Sequence, residues 1–314
     1  MTQLHVVVGA GPVGTAVATR LAQAGHQVRV VTRSGSGPDH PAVEKVAADA
    51  SGAETLRRLT VGATAVHNCA NPTYTSWPTA WPPLAASLLA AAEASGAVLA
   101  TVSNLYVYGP VGAPMTETTA FGSRDPKGKV REQMTRDALA AHAAGRLCYV
   151  EVRGSDYPDA PGDTSHLSRQ VPAVLAGRTC RVVGSPDQPH SWTATDDVAA
   201  LLVAAVADPT AHGRAWHVPS APPRTQREAL TDLADLAGAP APRVRGTSPA
   251  LLRVVGTVVP MVREIAGVAY QFDAPFQLDD RAARTHFGLE PTPWPDTLAL
   301  VLHRTGATPA GRVA

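Results

Sequence analysis

Cysteine is scarce in this 314-residue chain: Cys69, Cys148 and Cys180 are too few and too scattered for a disulfide framework or a zinc site. Each lies in apolar sequence, so all three read as buried free thiols, and no metal centre is expected. Long hydrophobic runs are missing as well. No stretch approaches the roughly eighteen apolar residues of a membrane span, and no basic segment with a cleavable apolar run precedes the first strand. The expectation is a cytoplasmic protein without membrane attachment. An excess of charge of either sign is also lacking. The formal net charge is +1 and charged residues make up 17% of the chain, which excludes the basic footprint of a nucleic-acid binder and the composition of an acidic solvating tail.

What is present is enough apolar sequence, 45% of residues, to bury a large core, as one α/β unit with an appended lobe or as two domains. The organising stretch is Val6 to Gly14, VVVGAGPVG, an apolar run that empties into glycines spaced GxGxxG. Val13, Ala16, Val17, Leu21 and Ala24 then follow at helical spacing. Gly9 serves a tight turn, Gly11 lets backbone approach a pyrophosphate, and Gly14 lets helix pack on strand. The helix start offers free amides to phosphate oxygens, and Pro12 and Val13 are expected against the cofactor there. A dinucleotide is therefore expected.

Val28 to Thr32 closes the βαβ unit, and Arg33, Ser34 and Gly35 follow where a fold that prefers NAD usually carries an acid. A cation beside a hydroxyl suits a 2′-phosphate, so NADP(H) is the expected cofactor; a solvated loop arginine is the plainer alternative. Asp49 either reaches the adenine edge or caps a helix at Glu54 to Leu59. The strand Ala63 to His67 runs into Asn68 to Asn71, where Ala70 and Asn71 pass close to the cofactor. Tyr74, Trp77 and Trp81 lie in a Pro-rich loop before a helix at Leu84 to Ser95, as the wall of a flat substrate or as a cover for the sheet. The strand Ala97 to Ser103 delivers SNLYVYG to the same edge.

GAGPVG, the NCAN run, SNLYVYG, the Glu117 loop, the PKGKVR helix start and the HSWTATDDVA segment together resemble the extended short-chain dehydrogenase/reductase family, also called the epimerase/dehydratase group. The resemblance covers nearly the whole chain. It implies a Rossmann-type, doubly wound parallel α/β sheet over residues 1–160, with 185–220 returning to it. A smaller substrate lobe is then made of 161–184 and 221–314, and the family's habit of dimerising through helices implies a homodimer. Aligning on Tyr108-Gly109 puts Asn104 where the family has its catalytic serine. Aligning PYxxxK on Pro126 to Arg131 puts Lys127 at the tyrosine and Arg131 at the lysine. No tyrosine lies between Tyr108 and Tyr149, so no shift restores the motif, and the chain resembles an atypical member. RGSDYPDAPG resembles the turn that passes over the nicotinamide, bringing Tyr157. His190 stands where relatives often have an arginine on a nucleotide-sugar phosphate, which argues against that substrate class. His166 and Trp192 fall in segments used around the substrate. Helices are expected at Thr164 to Ala176, from Asp197, and at Thr225 to Ala237, Pro249 to Val268 and Asp279 to Phe287; the last ten residues read as a frayed polar tail.

Reducing a carbonyl needs a hydrogen-bond donor on its oxygen. Lys127 serves if its like-charged neighbours Lys129 and Arg131 make it release its proton readily, although KGKVRE reads equally as an exposed helix start. Arg131, on the same helical face, can hold the nicotinamide ribose but cannot shuttle protons. Asn104 can donate an amide hydrogen bond. Tyr106 either lines the site or packs, and Tyr108 reads as structural. An aromatic ketone with a neighbouring phenol would bring its own proton. The expected activity is thus an NADPH-dependent ketoreductase of an apolar, aromatic, polyketide-type small molecule. The alternatives are an NADP-binding sensor without turnover and an NADP-dependent epimerase.

Overall fold

The structure, a computed structural model, describes residues 2–307; the end of the expected polar tail, 308–314, lies outside them. The strands are β1 (Leu4–Val8), β2 (Gln27–Thr32), β3 (Val43–Ala47), β4 (Ala63–Asn68), β5 (Val98–Asn104), β6 (Tyr149–Gly154), β7 (Cys180–Val183), β8 (His190–Trp192), β9 (Arg214–His217), β10 (Ala221–Arg224) and β11 (Val244–Thr247). The helices are α1 (Pro12–Gln23), α2 (Ala53–Leu59), α3 (Trp77–Ser95), α4 (Pro126–Ala143), α5 (Val171–Leu175), α6 (Thr195–Ala207), α7 (Gln226–Ala237), α8 (Pro249–Gly256), α9 (Pro260–Val268), α10 (Arg281–Phe287) and α11 (Trp294–Arg304). None among the described residues is long and apolar enough to cross a membrane.

Valine-rich runs such as LHVVV and QVRVVT bury both faces, which suits a parallel sheet covered on each side. Seven parallel strands form it in the order β3-β2-β1-β4-β5-β6-β9. On one face Val17 and Leu21 of α1 pack with Val198 and Leu202 of α6, and Ala283 of α10 joins them. On the other, Leu56, Leu88 and Ala138 bring α2, α3 and α4 to the sheet. The chain leaves β1 toward β2 on one side and resumes at β4 on the other, so the carboxyl ends of β1 and β4 flank the crevice where such folds bind ligands. Two small sheets stand apart: β8 pairs antiparallel with β10, and β7 parallel with β11. They enclose a separate core with Leu167, Val182, Leu230 and Leu298.

Four expectations are corrected. Helix α3 begins at Trp77 rather than Leu84, despite Pro82 and Pro83 inside it. An interior proline costs a helix about 3 kcal/mol, and burying the indoles of Trp77 and Trp81, 1% and 0% exposed, offsets that cost. The helix expected over 164–176 shrinks to α5. Upstream of it, Ser165 and Ser168 donate to the Pro158 carbonyl and the Ser165 hydroxyl accepts from two backbone amides, satisfying the chain with short 3-10 turns in place of an α-helix. The segment 249–268 is two helices, because Pro260 drives Val259 into an extended conformation (φ −116°, ψ 103°). Cys148, which precedes β6, is exposed, whereas Cys69 and Cys180 are buried.

Candidate active site

At the crevice the three glycines have separate physical reasons. Gly9 has φ +97°, and a Cβ there would lie 2.8 Å from the Ala70 amide nitrogen. A Cβ on Gly14 would sit 2.1 Å from the Gly9 carbonyl oxygen. Gly11 has an ordinary φ of −70°, and a Cβ there would meet nothing within 4 Å. Its missing side chain leaves open space in front of α1, whose first turn has no side-chain cap. The turn before that helix start borders a cleft of about 610 Å³ that Gly9, Gly11, Arg33, Ser34, Asp49 and Asn71 help to line. An uncapped helix start beside a cradle that a Cβ would fill fits the diphosphate of a dinucleotide.

Arg33 and Ser34 lie at the end of β2 in this cleft, and both are exposed. Asp49 lines it too, but does not cap α2, whose first flanking residue is Gly52. The Asp49 carboxylate accepts from the Ser51 N–H and O–H instead, and these bonds, with a smaller contribution from the Arg33 charge, hold it below the usual carboxylate range.

A second cavity, of about 280 Å³, shares Gly11, Cys69, Ala70 and Asn71 with the first and continues from it. Pro12, Val13 and Tyr157 line it beside the glycine turn. Its polar lining includes Tyr74, Asn104, Tyr106, Arg131 and Asp156. Arg131 is 5% exposed and its guanidinium lies 4.8 Å from the Trp77 ring and 4.3 Å from the Trp81 ring. Nε and Nη1 of Arg131 have no hydrogen-bond partner among the described residues, a costly state for a buried cation that a ligand acceptor would relieve. The hydroxyls of Tyr74 and Tyr106 are 2.5 Å apart. Burial pushes Tyr74 up to about 12 and Tyr106 well above its ordinary value, so both are neutral donors at pH 7. The side-chain Oδ1 of Asn104 accepts from the Tyr106 backbone N–H at 3.1 Å, fixing the turn that carries this phenol. Tyr108 is turned away, bonded to Arg153 and His217.

Lys127 is neither an exposed helix-start residue nor a wall of the cavity. It is 1% exposed, with Nζ 2.8 Å from Glu264 of α9 and 3.4 Å from Asp125. The exposed lysine of that turn is Lys129, paired with Glu132. His190 is wholly buried and does not line the cavity; it touches it through Asp156, whose Oδ2 lies 2.7 Å from His190 Nε2. His166 Nε2 stands 3.8 Å from Asp156 Oδ1, and its ring packs on Phe272. Burial pushes the His166 pKa down against the pull of Asp156. Trp192 belongs to the core of the small sheets, its indole donating to the Arg224 carbonyl. Asp156 itself was missed by sequence reasoning; its signal was an acid beside Tyr157 in RGSDYPDAPG. Burial alone would raise its carboxyl, but the His190 hydrogen bond and the nearby charges of His166 and Arg169 carry it below the ordinary value.

A family model described as the NAD dependent epimerase/dehydratase family matches residues 5–218. Among solved structures, the chain is similar to a double mutant of the dTDP-glucose 4,6-dehydratase DesIV from Streptomyces venezuelae with NAD and DAU bound: 20% identity over 97% of each chain, TM-score 0.77. It is also similar to a UDP-glucose 4-epimerase from Thermotoga maritima with UDP-glucose, at 17% identity over 96% of this chain and 98% of that one, TM-score 0.76. A dTDP-glucose 4,6-dehydratase from Bacillus anthracis in complex with NAD gives 16% identity over 97% of each chain and TM-score 0.78. At these identities the likeness establishes the fold. No curated protein matches the chain by sequence.

Proposed function

Because the chain belongs to the NAD-dependent epimerase/dehydratase family, whose model matches residues 5–218, we propose that it is an NADP(H)-dependent reductase of a ketone on a small, apolar, aromatic molecule of polyketide type. The observation that carries this reading is the continuity of the two cavities: the cleft before α1 leads, through Gly11, Ala70 and Asn71, into a chamber walled by Tyr74, Trp77, Leu105 and Tyr106. When bound, the reduced nicotinamide supplies a hydride to the carbonyl carbon. The first-turn amides of α1 hold the diphosphate, and Arg33 with Ser34 favours a 2′-phosphate at the adenosine end. Arg131 offers its unpaired Nε and Nη1 to the nicotinamide ribose hydroxyls. Negative charge gathers on the carbonyl oxygen as the hydride arrives, and the hydroxyl pair of Tyr74 and Tyr106 donates to it, with Asn104 supporting Tyr106. Lys127, whose Nζ lies 5.8 Å from the Tyr74 ring centroid, acts here as a positioning residue rather than as the acid.

The small aromatic chamber supports an apolar substrate over a nucleotide sugar. The family description supports a second reading, an epimerase or dehydratase that returns its cofactor at each turnover. NADPH absorbance during incubation with a panel of mono- and polycyclic aromatic ketones separates them. Stoichiometric loss of NADPH with one of the ketones is the expected result; conversion of a sugar nucleotide without net cofactor loss would overturn the reductase reading in favour of the second.

A further inference from the structure

Asp156 is the one carboxylate among the described residues that line the smaller cavity. Its Oδ2 takes a hydrogen bond from His190 at 2.7 Å, but among the described residues the one ion-pairing group at Oδ1 is His166 Nε2, at 3.8 Å, which is beyond hydrogen-bond range. The side chain keeps 18% of its surface exposed at the cavity wall. Its orientation is fixed from behind. The His190 ring stacks on Phe272 at 4.5 Å and on Phe276 at 5.7 Å, and its Nδ1 lies 3.3 Å from the Gln271 carbonyl oxygen. An acceptor held this rigidly, with one oxygen unused, calls for a donor from a ligand.

The charges around it select the kind of donor. A carboxylate or phosphate brought to this wall would be desolvated against Asp156. A cation would share the cavity with the buried guanidinium of Arg131, and Arg169 already compensates Asp156 from outside. A neutral hydroxyl meets neither penalty. Among the cavity's other polar side chains, Tyr74, Tyr106 and Arg131 carry donors suited to a carbonyl oxygen. We propose that Asp156 Oδ1 accepts a hydrogen bond from a substrate hydroxyl, so that the site takes neutral hydroxy-ketones and excludes anions. The position of the ketone rests on the reductase reading of the same cavity; that of the hydroxyl rests on Asp156 and His190.

The test is a binding series with oxidised cofactor present, which prevents turnover. Ligand-observed NMR titrations compare ortho, meta and para hydroxyacetophenones with their methyl ethers and with the acetylbenzoates. The wild type should bind at least one hydroxy isomer about tenfold or more tightly than its ether and should bind the acetylbenzoates least, and Asp156→Asn should abolish the preference while leaving the ether's affinity within about twofold. Equal affinity of every hydroxy–methoxy pair, preference for the anion, or binding of none of the probes would overturn the proposal. Should Asp156→Asn not fold, by thermal melt and cofactor binding, the wild-type ratio decides alone. A hydroxyl preference in a protein that consumes no NADPH with any ketone refutes the reductase reading and not this one; ketone reduction without the preference does the reverse.

Discussion

Gly11 and Gly14 are three residues apart in one motif, yet the structure assigns them opposite consequences. A Cβ at Gly11 points into open space and the backbone there is extended, so Gly11→Val should fold, with a stability loss of about 1 kcal/mol or less from the poorer helix-capping residue. The isopropyl group would instead fill the approach to the first-turn amides of α1. Two charge-assisted hydrogen bonds from those amides to a diphosphate are together worth about 3–6 kcal/mol, which corresponds to a loss of about 10² to 10⁴ in affinity. Gly14→Ala is the contrasting perturbation. Its Cβ would lie 2.1 Å from the Gly9 carbonyl oxygen and 3.1 Å from Cys69 Cβ, so helix and turn must separate, at a cost of about 1–3 kcal/mol of stability. NADPH fluorescence titration and thermal denaturation of both variants read the two effects separately. If Gly11→Val keeps its cofactor affinity within about threefold, the dinucleotide does not cross this turn and the site assignment is wrong.

Arg33→Ala should weaken NADPH by about tenfold and leave NADH unchanged; equal weakening of both, or tighter NADH binding by the wild type, would refute the 2′-phosphate assignment. Tyr106→Phe should lower kcat by about 10²-fold or more with a smaller change in KM, the range of general acid catalysis; a loss under about threefold in both Tyr106→Phe and Tyr74→Phe would mean that the substrate supplies its own proton. Lys127→Ala leaves Glu264 and Asp125 facing each other and should cost about 3–5 kcal/mol of stability, most of it recovered in the double variant with Glu264→Ala; chemical denaturation of the four proteins checks the cycle, and additive losses would count against a buried ion pair. On the neighbouring strands β1 and β4, His5 Nδ1 and His67 Nε2 lie 3.1 Å apart. Burial first, then neighbouring histidines, lowers His5 to about 4 and His67 to about 3. Both are neutral when folded and titrate near 6.5 when unfolded, so their stabilisation is complete above pH 6.5 and falls by about 1.4 kcal/mol per pH unit per site as the pH drops toward 4. Thermal melts across this range should show that slope, reduced in His67→Leu; an unchanged slope in the variant would assign the acid lability elsewhere.

The sequence by itself determined what depends on near neighbours. VVVGAGPVG specifies strand, turn and helix because glycine's steric freedom and the switch from apolar run to helical spacing act within a dozen residues. The strands β1, β2, β4 and β5, read from short apolar runs between turns, lie within two residues of the expected bounds. Asn104, Lys127 and Arg131 were singled out from the chain by comparison with a motif alone. What each of those residues does was decided by tertiary structure. Lys127 reads as an exposed helix start until α9, 137 residues later, brings Glu264 against it. Trp77 and Trp81 read as a proline-rich loop until the sheet and α4 bury them and Arg131 is enclosed by their rings. The Tyr74–Tyr106 hydroxyl pair spans 32 residues, and the His190 that fixes Asp156 is 34 residues away. No local propensity encodes such meetings. They follow from which strand ends the topology gathers at one edge and which lobe packs beside it, so the glycine turn is readable in the chain while the constellation of side chains opposite it exists only in the fold.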